Sequence, residues 1–180
     1  AQVSNSWSVD EYNSLITFYI RLLPKLMQVE RCTIFLKEPD TDSLVSMYGT
    51  GLEQDTLEVP LEGNVSIVGQ VLVSGKSLIE NDLHAKKGYH QLADEQTGFD
   101  SRNTLCTPIT SVAGNGVLGV VQLLNTLGNE PFDSAQQAEL EEIAGYLSIS
   151  IESILLNKKI IRIAEEFDSE VTRLKLDEFQ

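Results

Sequence analysis

Residues that build metal centres, disulfide frameworks and nucleic-acid surfaces are scarce in this chain. Its 180 residues include 2 cysteines, 2 histidines, and 13 lysines and arginines against 27 aspartates and glutamates. The formal net charge of −14 argues against binding to nucleic-acid polymers or anionic membranes, because both need clustered basic residues. Cys32 and Cys106 lie in apolar stretches, so we interpret them as buried thiols in a reducing, cytoplasmic compartment.

Long apolar runs and catalytic motifs are missing as well. No run approaches the roughly 20 apolar residues of a membrane span, so no membrane insertion is expected. The sequence has no phosphate-binding G-x-x-x-x-G-K-[ST], no H-E-x-x-H, no G-x-S-x-G and no adjacent His-Asp pair. We therefore do not expect an enzyme of these classes.

Apolar residues in steps of three and four predict an amphipathic helix over residues 9–29. Ser8 is its predicted N-cap, Glu11 completes a capping box, and Pro24 should kink or shorten it. The stretch "RCTIFLKE" then predicts a strand, "PDTDS" a turn and "LVSMYGTG" the partner strand of a hairpin.

The middle of the chain alternates short elements with one long polar connection. "EVPL" (58–61) predicts a strand, and a helix is expected to start near Asn64–Ser66 and end at Gly75. "SLIEND" is expected to be extended. Residues 82–101, a long polar connection, should hold a short helix. "TLCTPITS", "AGNG" and "VLGVVQLLN" then predict a tight hairpin.

The last predicted helix runs for more than forty residues to the end of the chain. Asp133 or Ser134 should cap it, with Gln136 or Gln137 returning the bond. An apolar stripe continues beyond the reach of a small core, through Leu156, Ile160, Ile163, Phe167, Val171 and Leu174. Its steps predict a coiled coil with one irregular step, and hence a homodimer through the terminal helices; a frayed surface helix is the alternative.

Together these elements predict an α+β sandwich built on an antiparallel sheet. We expect a flexible segment over residues 1–8, a compact domain over 9–157 and a coiled-coil linker helix over 158–180.

Several stretches resemble the GAF domain, a small-ligand sensor module, in their order and in their residues. The resemblance spans roughly residues 10–160 and is carried by "RCTIFL", "SIVGQVLVSGKSLIEND", "DEQTGFDSRNTLCTPI" and "VLGVVQLLN". It is closest to the regulatory GAF domains of cyclic-nucleotide phosphodiesterases and cyanobacterial-type adenylyl cyclases. The implied fold is a PAS-like sandwich with the N-terminal and long C-terminal helices on one face.

The resemblance also implies a ligand pocket over the sheet, under a lid formed by residues 82–101, here called the lid segment, with cAMP or cGMP as the expected ligand. The cyclic phosphate would lie at the start of the helix that follows Ser66, on the backbone N–H groups of Ile67 and Val68. A helix N-terminus can bind an anion without Lys or Arg. The remaining implied contacts are polar or aromatic side chains: Thr33, Tyr48, Tyr89, His90, Asp94, Thr97, Ser101 and Gln122.

One part of the family pattern is changed. Phosphodiesterase GAF domains carry a dispersed Asn-Lys, Phe and Asp-Glu motif whose lysine and acid form an ion pair. Asn125 and Phe132 are kept, whereas Thr126 replaces the lysine and Gln136 and Gln137 replace the acids. Because both charges are lost together, no orphan charge remains.

Two other interpretations stay open at the level of sequence. Asp94 can cap the lid helix or pair with Arg102 instead of contacting a ligand. The domain can also be a dimerisation scaffold with a degenerate or self-filled pocket, which the lost ion-pair motif favours. Alternatively, the pocket takes another small ligand. Haem is one candidate, because His84 and His90 both lie in the lid segment.

Overall fold

The computed structural model describes residues 4–37, 45–50 and 66–177, which are centred on one antiparallel sheet. Its strands are β1 (Val29–Lys37), β2 (Val45–Gly49), β3 (Leu78–Glu80), β4 (Thr104–Thr110) and β5 (Val117–Thr126). They stand in the order β2-β1-β5-β4-β3. Both predicted hairpins are therefore confirmed, while the predicted strand at 58–61 and the turn at 39–43 fall outside the described residues.

The helices in the described ranges are α1 (Ser4–Met27), α2 (Ile67–Ser74), α3 (Tyr89–Thr97) and α4 (Ser134–Asp177), with a single 3-10 turn at Leu83–Ala85. α1 packs on β1 and α4 packs on β4, and these two helices also contact each other. α2 packs on β4 and β5 from the opposite side. The α+β sandwich with both terminal helices on one face is thus confirmed.

α1 begins earlier than the apolar periodicity predicted. The helix is continuous from Ser4, so Ser8 is not its N-cap and residues 4–8 are helical. Neither glycine nor proline stands between these positions to stop the helix. Pro24 lies inside α1, which continues to Met27. A proline this close to the end removes one hydrogen bond of the last turns without ending the helix.

The ends of α2 and α4 follow the predicted capping chemistry. Ser66 caps α2 by accepting a hydrogen bond from the Gly69 amide at 2.9 Å, and Gly75 ends α2 in the left-handed conformation. At α4, the Gln136 amide donates to the Asp133 carboxylate at 2.8 Å. The Asp133 amide donates in return to the Gln136 side chain at 3.1 Å, which completes a capping box.

The sheet separates a large apolar core from a smaller one. On the side of α1 and α4, the core contains Ile16, Leu23, Ile34, Leu105, Ile109, Val121, Leu123, Leu140, Leu147 and Ile151. On the other side, here called the α2 face, Phe35, Val68, Val71, Cys106 and Val120 form a second cluster. Most of the stabilising burial is therefore on the side of the terminal helices.

α4 extends well past the core. Leu147 and Ile151 are buried, whereas Leu156, Ile160, Ile163 and Phe167 are each more than half exposed. α4 spans 44 residues, and at about 1.5 Å per residue its final turns lie far from the sheet. No helix in the described part of the chain is long and apolar enough to cross a membrane.

Candidate functional site

Two predicted site residues, Thr33 and Gln122, are brought together on the α2 face. They are register partners on the neighbouring strands β1 and β5, and Gln122 pairs with Cys106 on β4 in the same row. Side chains alternate along a strand, so Thr33 shares its face with Phe35 and Gln122 shares its face with Val120. A polar row thus crosses the middle of the smaller apolar cluster.

The polar row has hydrogen-bonding capacity to offer a ligand. Gln122 is half-buried, and its side-chain amide nitrogen lies 3.5 Å from the Thr104 hydroxyl oxygen. Thr104 itself donates to the carbonyl of Leu123 at 2.8 Å. A glutamine side chain has two donor hydrogens and one acceptor oxygen, so its contacts with Thr104 and with the Cys106 thiol leave part of this capacity unused.

Tyr48 does not join this row. It pairs with Ile34, whereas Thr33 pairs with Gly49. Ile34 belongs to the core under α1 and α4. Because neighbouring positions of a strand alternate between the two faces of the sheet, the register puts position 48 in the row of Ile34 and not in the row of Thr33.

The start of α2, where phosphate contacts were predicted at Ile67 and Val68, adjoins the smaller cluster. Val68 is buried among Phe35 and Val120, and Ile67 packs against them. The Ser66 hydroxyl accepts a hydrogen bond from the Gly69 amide, and the Ser66 carbonyl accepts one from the Gln70 amide. Among the described residues, no acceptor meets the amides of Ile67 and Val68, which leaves them as donors at the positive end of the helix.

Asp94 and Ser101, both predicted ligand contacts, bind each other. The Ser101 amide donates to one carboxylate oxygen of Asp94 at 2.8 Å, and the Ser101 hydroxyl donates to the other at 2.7 Å. The Gly98 amide donates to the Asp94 carbonyl at 2.8 Å and ends α3. Asp94 therefore closes the turn after α3, and its predicted alternative partner, Arg102, binds elsewhere.

The remaining predicted site residues lie on α3, within the lid segment. The Nε2 atom of His90 is 3.0 Å from the carbonyl of Leu83, so this ring ties α3 to the 3-10 turn. Tyr89 is the first residue of α3, and Thr97 is its exposed last residue. His84 is exposed and lies 2.7 Å from the Asp100 carboxylate. No cluster of three or more potential metal ligands occurs in the described ranges.

The far end of the lid segment contacts the α2 face through an aromatic ring. The Arg31 guanidinium carbon lies 3.8 Å from the centre of the Phe99 ring, which is a cation–π contact. Arg31 stands two positions before Thr33 on β1, so the two share a face. The lid segment therefore returns to the sheet beside the polar row.

A hydrogen-bonded cluster that the sequence patterns did not indicate lies behind this contact. Asn125, Arg102 and Glu30 bind one another although they come from three distant parts of the chain. Glu30 lies near the start of β1 and Arg102 lies just before β4, two strands that β5 separates, so neither local motif indicates that the two residues pair.

Both cysteines are free and buried on opposite faces of the sheet. Burial raises the pKa of both thiols, and that of Cys106 reaches about 12. The thiolate is the reactive form, so neither cysteine is suited to nucleophilic chemistry near neutral pH. The prediction of buried thiols is confirmed.

An open cavity of about 550 Å³ lies away from the polar row, between the β3–β4 edge and α4. Ser77 bridges this space, because its hydroxyl lies 3.1 Å from the Thr107 hydroxyl and donates to the Glu141 carboxylate at 2.7 Å. Glu141 also accepts from the Gln137 side chain at 3.0 Å. The polar groups here are engaged with one another.

Comparison with known proteins places this arrangement in a family. A model of the GAF domain matches residues 15–151. The cone cGMP-specific 3',5'-cyclic phosphodiesterase subunit alpha' of Bos taurus is 29% identical over 141 residues, which are 72% of this chain and 16% of the bovine protein. The Mus musculus counterpart is 27% identical over 143 residues, which are 73% of this chain and 16% of the mouse protein.

Solved structures share the fold at lower identity. A GAF domain/HD domain protein from Geobacter sulfurreducens has a TM-score of 0.62 at 18% identity, covering 84% of this chain and 97% of its own. A methyl-accepting chemotaxis protein has a TM-score of 0.64 at 17% identity, covering 84% and 98%. Since the matched family region contains the whole sheet and the polar row, the chain belongs to the GAF domain family.

Proposed function

We propose that this chain is a regulatory sensor domain that binds a cyclic nucleotide on the α2 face and signals through its terminal helices. The observation that supports it most directly is the pairing of buried Thr33 with half-buried Gln122 in a polar row beside the start of α2. Polar groups on an otherwise apolar concave face are typical of small-molecule sites.

The phosphate of the ligand would lie at the start of α2. The amides of Ile67 and Val68 supply two donors there, and the helix dipole adds roughly half a positive charge. The net charge of −14 disfavours any anion at long range, so a local dipole suits a monoanionic cyclic phosphate better than a more highly charged one.

The base would lie over the polar row. Gln122 can both donate and accept, so it suits the edge of a purine without selecting adenine over guanine. Thr33 adds a hydroxyl in the same row. The names of the bovine and mouse relatives specify cGMP, which supports a cyclic nucleotide as the ligand class for the shared domain.

The signal would leave through a dimer of α4. An exposed apolar stripe continues along α4 at helical spacing through Tyr146, Ile149, Leu156, Ile160, Ile163, Phe167 and Leu174. α1 adds Phe18, Leu22 and Leu26 on its exposed side. A second copy of the chain would cover this stripe as a coiled coil, and ligand binding would shift the packing of the paired helices. The chain would then regulate a catalytic or other output domain without being an enzyme itself.

Isothermal titration calorimetry with cGMP and cAMP tests the ligand. We expect saturable binding of at least one nucleotide, and weaker binding after Gln122→Leu, which keeps the volume but removes the polar edge. Glu141→Gln, on the other side of the sheet, is the matched control and should bind as the wild type does. Absence of heat with both nucleotides at millimolar concentration would exclude the proposed ligand class.

A scaffold with a self-filled pocket is the second candidate. Both carboxylate oxygens of Asp94 are already bound to Ser101, and Phe99 is already stacked on Arg31. Asp94→Ala separates the two functions: reduced nucleotide affinity with an intact dimer supports the sensor. No binding in any variant, together with an intact dimer, supports the scaffold.

Sedimentation analysis tests the dimer. Ile160→Lys places a charge in the exposed stripe of α4 and should shift the protein towards monomer. Thr172→Lys adds the same charge to an exposed position of α4 outside the stripe and should leave the dimer intact. A wild-type monomer at micromolar concentration would contradict the coiled-coil prediction.

A further inference from the structure

Asn125 organises a cluster that joins the lid segment to the sheet. We call its three side chains, Glu30, Arg102 and Asn125, the Asn125 clamp. The Asn125 side-chain oxygen accepts from the Arg102 amide at 2.7 Å and faces the Asn103 amide at 3.4 Å. Its side-chain nitrogen donates to the Glu30 carboxylate at 3.0 Å and to the Asp100 carbonyl at 2.8 Å.

These contacts use the whole hydrogen-bonding capacity of the Asn125 amide. An asparagine side chain offers two donor hydrogens and one oxygen with two lone pairs, and all four are engaged. Asn125 is fully buried and adopts a positive φ of 59°. Asparagine tolerates this conformation better than most residues, so backbone and side chain favour the same residue type here.

The second part of the clamp is an ion pair across the sheet. The Arg102 guanidinium donates to the Glu30 carboxylate at 2.8 Å, and both side chains are about two-thirds buried. Partial burial tends to raise the pKa of Glu30, but hydrogen bonds from Asn125 and Arg102 and the Arg102 charge hold it below its usual value. Glu30 therefore stays ionised and paired near neutral pH.

Arg102 is also where the two ends of the lid segment meet. The Leu83 amide donates to the Arg102 carbonyl at 2.9 Å, so the start of the segment is tied to the residue that follows its end. The clamp holds the Arg102 amide and side chain, while Asp94 holds Ser101 and Arg31 holds Phe99. Residues 83–101 thus form a loop closed at a single fixed base.

We propose that the Asn125 clamp positions the lid segment over the α2 face, so that breaking it frees residues 83–101 without unfolding the sheet. The clamp contains an ion pair between Glu30 and Arg102. The charged pair of the phosphodiesterase motif is absent, because Thr126, Gln136 and Gln137 stand at its positions. Its effect on a ligand rests on the proposed function: a freed lid segment would let a bound cyclic nucleotide leave faster. Glu30, Arg102 and Asn125 are positioning residues and need not touch the ligand.

Hydrogen exchange of the full chain, followed by mass spectrometry without ligand, tests the positioning role. Arg102→Gln and Glu30→Gln should each speed exchange in peptides from residues 83–101 by about tenfold, the ratio expected for losing a hydrogen bond to a charged group. Exchange in β1 and β5 should stay unchanged. Asp100→Asn is the matched control, because it removes the exposed His84 pair within the same segment.

The double variant Glu30→Arg with Arg102→Glu distinguishes positioning from general destabilisation. It restores an ion pair of opposite polarity, but the Asn125 amide loses its Glu30 acceptor, so exchange at residues 83–101 should be slower than in either single charge reversal and still faster than in wild type. Unchanged exchange in the single variants, or equal acceleration throughout the sheet, would overturn the proposal.

Dissociation of cGMP, measured by stopped flow on the same proteins, connects the clamp to the site. Arg102→Gln should raise the dissociation rate by about tenfold, whereas Asp100→Asn should not. If wild type binds neither cGMP nor cAMP while exchange at residues 83–101 responds as expected, the clamp stands and the proposed ligand class is wrong. If cGMP binds and leaves all variants at the same rate, the link from the clamp to ligand retention is wrong.

Discussion

The two faces of the sheet use the same strands for different purposes. Beneath α1 and α4, the sheet presents large apolar side chains such as Ile34 and Leu123, which are fully buried. On the α2 face, a short helix covers a smaller cluster, and Thr33 and Gln122 interrupt it. Gln122 and Leu123 are adjacent in β5, so a single step along the chain separates a polar contact from the core.

This difference leads us to expect that folding and the proposed ligand binding are largely separable in this domain. A face covered by two long helices gains most of the burial free energy. The other face can then keep half-buried polar groups that stabilise the fold little. Substitutions beneath α1 and α4 should accordingly lower mainly the free energy of unfolding, and substitutions on the α2 face should change mainly the affinity for the proposed ligand.

The largest expected effect is that of Leu123→Ala. It removes a fully buried side chain from the larger core and should lower the free energy of unfolding by about 2–5 kcal/mol in urea. Gln122→Ala, at the preceding position, removes a long hydrogen bond to Thr104 and a contact with the Cys106 thiol, and should cost about 1 kcal/mol or less. Similar losses from both substitutions would contradict the separation of the faces.

A difference in opening between the faces is the next largest effect. In single-cysteine variants, Cys106 should react with a thiol reagent at least about tenfold faster than Cys32, because α2 can detach locally while α1 and α4 cannot. Both thiols are buried with raised pKa, so each reacts only after opening. Labelling rates at increasing sub-denaturing urea measure this: Cys32 should follow global unfolding, and Cys106 should depend less on urea. Identical rates would show that both faces open together.

Ligand protection gives a smaller, more specific effect. With cGMP bound on the α2 face, labelling of Cys106 should slow several-fold, since Cys106 is in register with Gln122. Labelling of Cys32 through global unfolding should slow only to the extent that the ligand stabilises the whole domain. Protection of Cys32 alone would place the ligand on the wrong face.

Local patterns predicted the elements because their signals are local. Ser66 and Gly75 bound α2, Asp133 and Gln136 cap α4, and the "AGNG" turn joins β4 to β5. The predicted start of α1 at residue 9 was wrong, because a cap motif at Ser8 does not stop a helix that can continue back to Ser4. The family resemblance indicated that Thr33 and Gln122 belong to one site, whereas the alternation of apolar and polar residues along each strand does not show which strands pair.

Contacts within the lid segment were harder to predict. Asp94 was expected to face a ligand, yet in the described structure it binds Ser101, seven residues later. The partner of Arg102 depends on the order of β1, β5 and β4, so no local motif points to Glu30. Long-range ladder order decides such pairs, and a single sequence carries little information about it.

The smallest expected effect is the acid dependence of the clamp beside the α2 face. Because the pKa of Glu30 is lowered in the folded state, its contribution to stability is present above the ordinary value of 4.5 and is lost as pH falls through the folded value. Glu30→Gln should therefore lower the melting temperature modestly at pH 7, and the gap to wild type should shrink below pH 4.5. Thermal melts between pH 7 and pH 3 measure this. Leu123→Ala, which removes no charge, should keep its deficit throughout, and a Glu30→Gln gap that widens in acid would contradict the assigned direction.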